Sequence, residues 1–194
     1  MKYPALLVAV VLLLTGCAPD GAQPAPATPP GTPPPVVSET GGFNDTDVMF
    51  AQMMLAQYQP AAALLDTART RAVSDKVRQL AAAIAATQAD EQKTIEEWLV
   101  GWGKASAPAA DAGLHAGHGG LPADPAAELK ALREASDREY DKVLLNLLIG
   151  RQHQAVEYAR MELSSGTNAA ALALATRVDQ SRTAQISMML GLVA

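Results

Sequence analysis

The chain has 194 residues, of which 49 % are hydrophobic, 4 % are aromatic and one is a cysteine. This length fits one domain or two very small ones, and a core of Ala, Leu, Val and Met favours packed helices over a β-sandwich. With 15 basic and 20 acidic residues the net charge is −5, so the basic patch of a nucleic-acid-binding protein is missing, and one cysteine excludes an internal disulfide framework.

Residues 1–16 have the features of a signal peptide. Lys2 precedes ten apolar residues, a run too short to span a bilayer, and the run ends in the sequence LTGC. This ending resembles a bacterial lipobox, so we expect cleavage before Cys17 and lipidation of its thiol; the alternative is an ordinary signal peptide with a chance cysteine. The expected product is a lipoprotein on the extracytoplasmic side of the cell envelope, with the membrane as its partner.

Residues 17–42 are predicted to form a linker. Eight of the 25 residues after Cys17 are prolines, and such a segment favours polyproline II and cannot bury a core. The folded domain is therefore expected over residues 43–194.

Two amphipathic helices are predicted in the first half of that domain. One covers about residues 45–70, with Asp45 or Thr46 as its N-cap and a kink at Pro60, which lacks a backbone N–H. The other covers about residues 74–102, with its first residue, a serine, as N-cap and the glycine that follows as its C-terminal stop.

The second half begins with a loop rich in Gly and Ala at about residues 104–123. Pro125 then opens a short helix, and Ser136 starts a capping box of the type S-x-x-E at a break before a long helix, which ends near residue 164 ahead of a glycine. The last helix is predicted over residues 168–192, capped by its first residue or the one before. These helices predict an all-α protein, an antiparallel four-helix bundle made of two helical hairpins.

A weak internal repeat supports two related hairpins. A shift of 94 residues aligns Asp47 with Asp141 and Ala61 with Ala155, along with several apolar positions. Similarity of pattern, rather than identity, predicts a pseudo-twofold axis between the hairpins.

Several of these segments resemble the bacterial domain-of-unknown-function 305 family. The matching residues are FNDTDVMFAQMM at 43–54 and WLVGWG at 98–103, with looser matches near Tyr140 and Met189. The resemblance covers about residues 43–190. It implies a ferritin-like bundle that is exported or lipid-anchored, in a family of which several members bind copper or related metals.

The chain departs from the family pattern where that pattern places a His-His pair in each half. The corresponding residues are Gln57 and Tyr58 in the first half, and Arg151 and Gln152 in the second. The metal role of the family therefore does not carry over to these positions.

Polar side chains interrupt the apolar stripes of all four helices at one level. These residues are Gln57, Gln88, Glu91, Arg151, Arg182 and Gln185. Because an unpaired buried charge costs several kcal/mol, one hypothesis is that Glu91 pairs with Arg151 or Arg182, so that a guanidinium replaces the metal cation of the relatives. The alternative is that both arginines extend to the surface at an end of the bundle.

Sulfur and imidazole side chains are the remaining candidate metal ligands. They are Met49, Met53, Met54, His115, His118 and His153. Thioethers suit Cu(I), although methionines at helical spacing are also typical core residues. The first two histidines are expected in a solvated loop, and the third has no second ligand at suitable spacing, so a structural or exposed role is its alternative.

We find no nucleophile beside a base, no phosphate-binding loop and no E-x-x-H pair, so no enzymatic activity is expected. The sequence predicts a lipid-anchored, extracytoplasmic helical bundle that handles copper, the one candidate cofactor. The alternative is a metal-free relative that acts as a binding or structural module. No protein partner is indicated.

Overall fold

The computed structural model describes residues 41–107 and 125–194. Within these ranges the chain forms helices and no strands. The helices are α1 (Asp45–Arg71), α2 (Asp75–Gly101), α3 (Pro125–Glu134), α4 (Asp137–Ser165) and α5 (Ala169–Val193). The expected signal peptide, Cys17, most of the linker, and the loop with His115 and His118 lie outside the described residues.

The four long helices pack as two antiparallel hairpins, α1 with α2 and α4 with α5, and α1 also packs on α4. The amide of Asn44 before α1 donates to the carbonyl of Ser165 at the end of α4, at 2.8 Å. At the other end of the bundle, Arg71 of α1 lies 3.4 Å from Asp137 at the start of α4. The predicted all-helical bundle is confirmed, and none of the helices in the described ranges is long and apolar enough to cross a membrane.

Two hydrophobic clusters fill the bundle. The proximal cluster surrounds the start of α1 and includes Phe50, Met53, Met54, Trp98, Leu99, Tyr158 and Val178. The distal cluster surrounds the end of α1 and includes Leu64, Ile84, Leu132, Tyr140, Leu144 and Met189. The level between the two clusters carries polar side chains, which are described below.

The N-cap of α1 is Asn44, so the prediction of Asp45 or Thr46 is wrong. Asn44 has an extended backbone, and its side-chain oxygen accepts from the backbone N–H of Asp47 at 3.0 Å. The Asp47 carboxylate accepts in return from the backbone N–H of Asn44, at 2.6 Å. Asn44 and Asp47 therefore form a reciprocal capping box. The two predicted caps, Asp45 and Thr46, lie between them in the first turn of the helix. The helix continues through Pro60 without a break, and the predicted kink there stays a prediction.

The other helix ends agree with the sequence in position but not always in mechanism. Gly103 has a φ of 66°, and the backbone N–H of Lys104 donates to the carbonyl of Leu99 at 2.8 Å, which is a Schellman ending. Ser136 precedes α4 as predicted, yet its hydroxyl donates to the side chain of Glu139 at 2.7 Å instead of capping a backbone N–H. The expected capping box is therefore wrong.

Asp47 ties the first hairpin to the turn of the second. One of its carboxylate oxygens accepts from the backbone N–H groups of Thr167 and Asn168, at 3.0 and 2.9 Å, and the other accepts from the Thr167 hydroxyl. Asn168 in turn caps α5, because its side-chain oxygen accepts from the backbone N–H groups of the first helical turn. This confirms one of the two predicted caps.

Asp141 makes the matching contact from the second hairpin to the turn of the first. Its carboxylate accepts from the backbone N–H of Val73 at 3.0 Å and of Ser74 at 2.8 Å. Positions 141, 73 and 74 are related to 47, 167 and 168 by the shift of 94 residues found in the sequence. The hydrogen bonds therefore follow the predicted pseudo-twofold relation between the hairpins.

Glu162 of α4 lies beside Asp47 with no solvent exposure. Burial, the hydrogen bond with Asp47 and the negative charge of Asp47 raise the pKa of Glu162 from 4.5 to about 9. Burial would also raise the pKa of Asp47, but its hydrogen bonds with Glu162, Asn168, Asn44 and Thr167 outweigh burial and lower it. A neutral Glu162 thus donates to an ionised Asp47 at neutral pH.

The glycine after α4 leaves room for this carboxyl. A Cβ at Gly166 would collide with the Glu162 carboxyl and lie 2.7 Å from its backbone oxygen. The φ of Gly166 is −69°, so the need for glycine comes from space and not from a left-handed backbone.

We predict that Glu162 makes the protein less stable as the pH rises. The folded state keeps a proton that the unfolded state releases above a pKa of 4.5, so the free energy of unfolding falls until the pH passes about 9. Glu162→Gln removes this slope because an amide still donates to Asp47. Urea unfolding of the wild type and of Glu162→Gln at pH 5, 7 and 9 measures how the free energy of unfolding depends on pH.

The exposed Glu157→Gln, on the same helix, serves as the control and should follow the wild-type profile. Parallel profiles for the wild type and Glu162→Gln would contradict the assignment.

Candidate functional site

A layer of polar side chains crosses the bundle between the two hydrophobic clusters. We call it the polar layer, and it consists of Gln57, Tyr58, Gln88, Glu91, Glu128, Arg151, Gln152, Arg182 and Gln185. Every helix contributes to it. All six residues that the sequence predicted for a buried polar network belong to this layer.

Arg182 of α5 is the most deeply buried member, with 0 % of its surface exposed. Its guanidinium pairs with the Glu91 carboxylate of α2, one of the two pairings expected from the sequence. The Tyr58 hydroxyl of α1 donates to the same carboxylate oxygen at 2.6 Å. Burial and the charge of Glu91 raise the pKa of Tyr58 well above its usual value, so this tyrosine remains a neutral donor.

Arg151 of α4 pairs with Glu128 of α3 instead of Glu91. Its Nε donates to the carboxylate at 2.9 Å, its Nη2 donates to the same oxygen, and its Nη1 donates to the backbone oxygen of Gln57 at 3.4 Å. Only 5 % of Arg151 is exposed, and Arg182 is fully buried. The alternative that both arginines extend to the surface is therefore wrong.

The layer repeats across the pseudo-twofold axis. The Gln152 amide donates to the Gln185 side chain at 2.7 Å, and these residues correspond to Tyr58 and Glu91 under the shift of 94 residues. A donor on the first helix of each hairpin thus reaches an acceptor 33 residues further on. The two halves keep the contact although the residue types differ.

Three atoms of the polar layer are buried without a hydrogen-bond partner in the described structure: Gln57 Nε2, Gln88 Oε1 and Arg182 Nε. The side chain of Gln57 also hydrogen-bonds Tyr158, whose pKa burial raises to about 12. Two guanidinium groups facing two carboxylates balance the charge of the layer. A metal cation placed there would be repelled by both guanidinium groups, and each carboxylate is already paired with one of them. These residues therefore do not fit a metal.

The methionine candidates lie together in another part of the bundle. Met53 and Met54 are fully buried in the proximal cluster, and Met49 and Met161 pack against it. Met161 of α4 was not among the sequence candidates, because only the methionines of α1 show the helical spacing. Four described thioethers therefore belong to or pack against this cluster, and thioethers suit a soft ion such as Cu(I).

Among the described residues, no histidine belongs to the proximal cluster or packs against it. His153, on α4, is exposed and is not a member of the polar layer. In the described ranges there is no group of three or more His, Cys, Asp and Glu residues that could hold a metal ion.

Sequence reasoning missed three members of the polar layer: Tyr58, Glu128 and Gln152. Tyr58 and Gln152 stand at the second position of each His-His pair in the family pattern, and that correspondence could have placed them in the layer. Nothing in the sequence singles out Glu128, because its short helix carries several other charged residues and its partner lies 23 residues away.

The fold and the layer define an all-helical bundle of two related hairpins with buried ion pairs at mid-height. The sequence profile of the domain-of-unknown-function family DUF305 matches residues 47–193, and the chain belongs to this family. No curated protein matches the chain.

Several solved structures resemble this one over most of its length. A DUF305 protein from Streptomyces coelicolor, described as a candidate secreted protein, is 26 % identical with a TM-score of 0.68, over 76 % of this chain and 91 % of that one. A DUF305 fragment from Deinococcus radiodurans is 22 % identical with a TM-score of 0.67, over 79 % and 98 %. CopM in its Cu(II)-bound form is 26 % identical with a TM-score of 0.63, over 76 % and 95 %.

We predict that Glu91→Ala destabilises the protein by about 3–5 kcal/mol, because it leaves the buried Arg182 unpaired. The double variant Glu91→Leu/Arg182→Met should be clearly more stable than Glu91→Ala, since it removes both charges. Chemical denaturation of each variant gives the free energies of unfolding.

Glu97→Ala on the same helix is the matched control. Glu97 also has an ion pair, with Lys93, but its side chain is 58 % exposed, so its loss should cost about 0–1 kcal/mol. Equal effects of the two alanine variants would show that the Glu91 pair is not buried.

Proposed function

We propose that this DUF305 protein is a lipid-anchored binding module of the cell envelope, without enzymatic activity and without a metal in its polar layer. The observation that carries the proposal is the pair of guanidinium groups, Arg151 and Arg182, at the level where the family resemblance expects imidazole ligands. Each guanidinium supplies the positive charge that a metal ion would otherwise bring.

The envelope location rests on two independent supports. The LTGC motif at the end of a ten-residue apolar run is the expected signal for lipidation at Cys17. The similar Streptomyces coelicolor protein is described as a candidate secreted protein. An acyl chain at Cys17 would tether the bundle while the domain stays outside the bilayer.

A second candidate function is copper handling through thioethers. Two observations favour it: Met49, Met53, Met54 and Met161 belong to or pack against the proximal cluster, and the chain is similar to CopM, which has been solved in Cu(I)-bound and Cu(II)-bound forms. His115, His118 and His153 are the other side chains that the sequence offers. Thioethers alone select Cu(I) over Cu(II).

A competition titration of the protein with Cu(I) and Cu(II) against chelators separates the two functions. The binding module predicts no stoichiometric copper site of micromolar or tighter affinity, together with a cooperative unfolding transition. A stoichiometric Cu(I) site that Met53→Leu abolishes would overturn it in favour of copper handling. Met188→Leu is the control, because Met188 is 57 % exposed and lies outside the cluster.

The anchor has a test of its own. Cys17→Ser should move the protein from the membrane fraction to the soluble fraction and abolish incorporation of a labelled fatty acid, because the thiol is the acylated group. Unchanged membrane association in this variant would exclude the lipid anchor.

A further inference from the structure

The carboxylate that pairs with Arg151 comes from α3, the shortest helix of the bundle. A ten-residue helix is marginal on its own in water, so tertiary contacts hold α3 in place. Besides Glu128, these contacts include Leu132, which is buried in the distal cluster, and Leu129, which packs against it. The guanidinium of Arg71 on α1 also donates to the backbone oxygens of Leu132 and Ala135.

The guanidinium of Arg151, in contrast, is positioned without α3. Arg151 belongs to a helix of 29 residues, and its Nη1 is held by the backbone oxygen of Gln57 on α1. Its Nε and Nη2 both donate to the same carboxylate oxygen of Glu128. Such a convergent pair of donors on a buried arginine is the arrangement that binds carboxylates in proteins.

The other ion pair of the layer lacks this feature. Glu91, the partner of Arg182, sits on the 27-residue helix α2, which cannot leave without breaking the first hairpin. The repeat also places Gln57 at the position that corresponds to Arg151, so the second half alone has a guanidinium beneath a short helix. Within the polar layer, Glu128 is thus the counter-ion that lies on a helix outside both hairpins.

We propose that the space beneath α3 is a carboxylate-binding site, occupied within the chain by Glu128 and open to a carboxylate of a partner protein when α3 lifts. The inference rests on the proposed binding function and names its ligand class, an acidic side chain or chain terminus. Glu128 acts as an internal competitor, because it keeps Arg151 paired in the free protein. The carboxylate of a partner has to displace Glu128, which lowers the affinity of the protein for that partner.

Chemical rescue tests the site in the full chain. In Glu128→Ala, acetate should fill the space beside Arg151 and raise the melting temperature by about 2–4 °C over chloride at equal ionic strength, a shift typical of a modest stabilisation at this chain length. The wild type and Glu128→Ala/Arg151→Met should show no difference between the two salts. The same response to acetate and chloride in Glu128→Ala would overturn the proposal.

Hydrogen exchange of the wild type tests the opening and does not depend on the folding of any variant. The amides of α3 should exchange while those of α4 and α5 stay protected, and a glutamate-rich peptide should speed α3 exchange severalfold where a glutamine-rich peptide does not. The proposal would be overturned if the amides of α3 exchanged only when the whole bundle unfolds, or if both peptides had equal effects on their exchange. Glu134→Ala, an exposed change on α3, should behave as the wild type.

Neither readout involves copper. A copper site found in the titration would therefore overturn the proposed function and leave the test of the carboxylate site intact.

Discussion

A buried guanidinium requires a carboxylate within hydrogen-bonding distance, and two such groups organise the middle of this bundle. Arg182 is out of reach of solvent and pairs with Glu91, while Arg151 pairs with Glu128. Because burying an unpaired charge costs several kcal/mol, these pairs bind α2 to α5 and α3 to α4. They also divide the hydrophobic core into a proximal and a distal cluster.

The same pairs decide what chemistry the interior can perform. Other members of the family are expected to hold imidazoles at this level, and here the corresponding positions donate or accept hydrogen bonds around the two arginines. Tyr58 holds the Glu91 carboxylate, and Gln57 accepts from Arg151 through its backbone. The positive charge of this layer is carried by the chain's own guanidinium groups, which disfavour a cation at this level.

The two hairpins are held together by a contact that occurs twice. Asp47 accepts from the turn before α5, and Asp141 accepts from the turn before α2, at positions 94 residues apart. The copies differ in their surroundings, since Asp47 alone lies beside the neutral carboxyl of Glu162. The polar layer differs in the same way, because Glu128 of α3 pairs with Arg151 in the second half, whereas the corresponding residue of the first half is Gln57.

The sequence by itself determined the helices, the two-hairpin repeat and the level at which polar residues interrupt the core, because helical periodicity and capping are local properties of the chain. It also limited the partners of Glu91 to two arginines. Only the tertiary structure decided between them and assigned Glu128 to Arg151, since that choice depends on where a short helix packs. The Glu162 contact with Asp47 joins residues 115 positions apart, and no local pattern encodes such a distance.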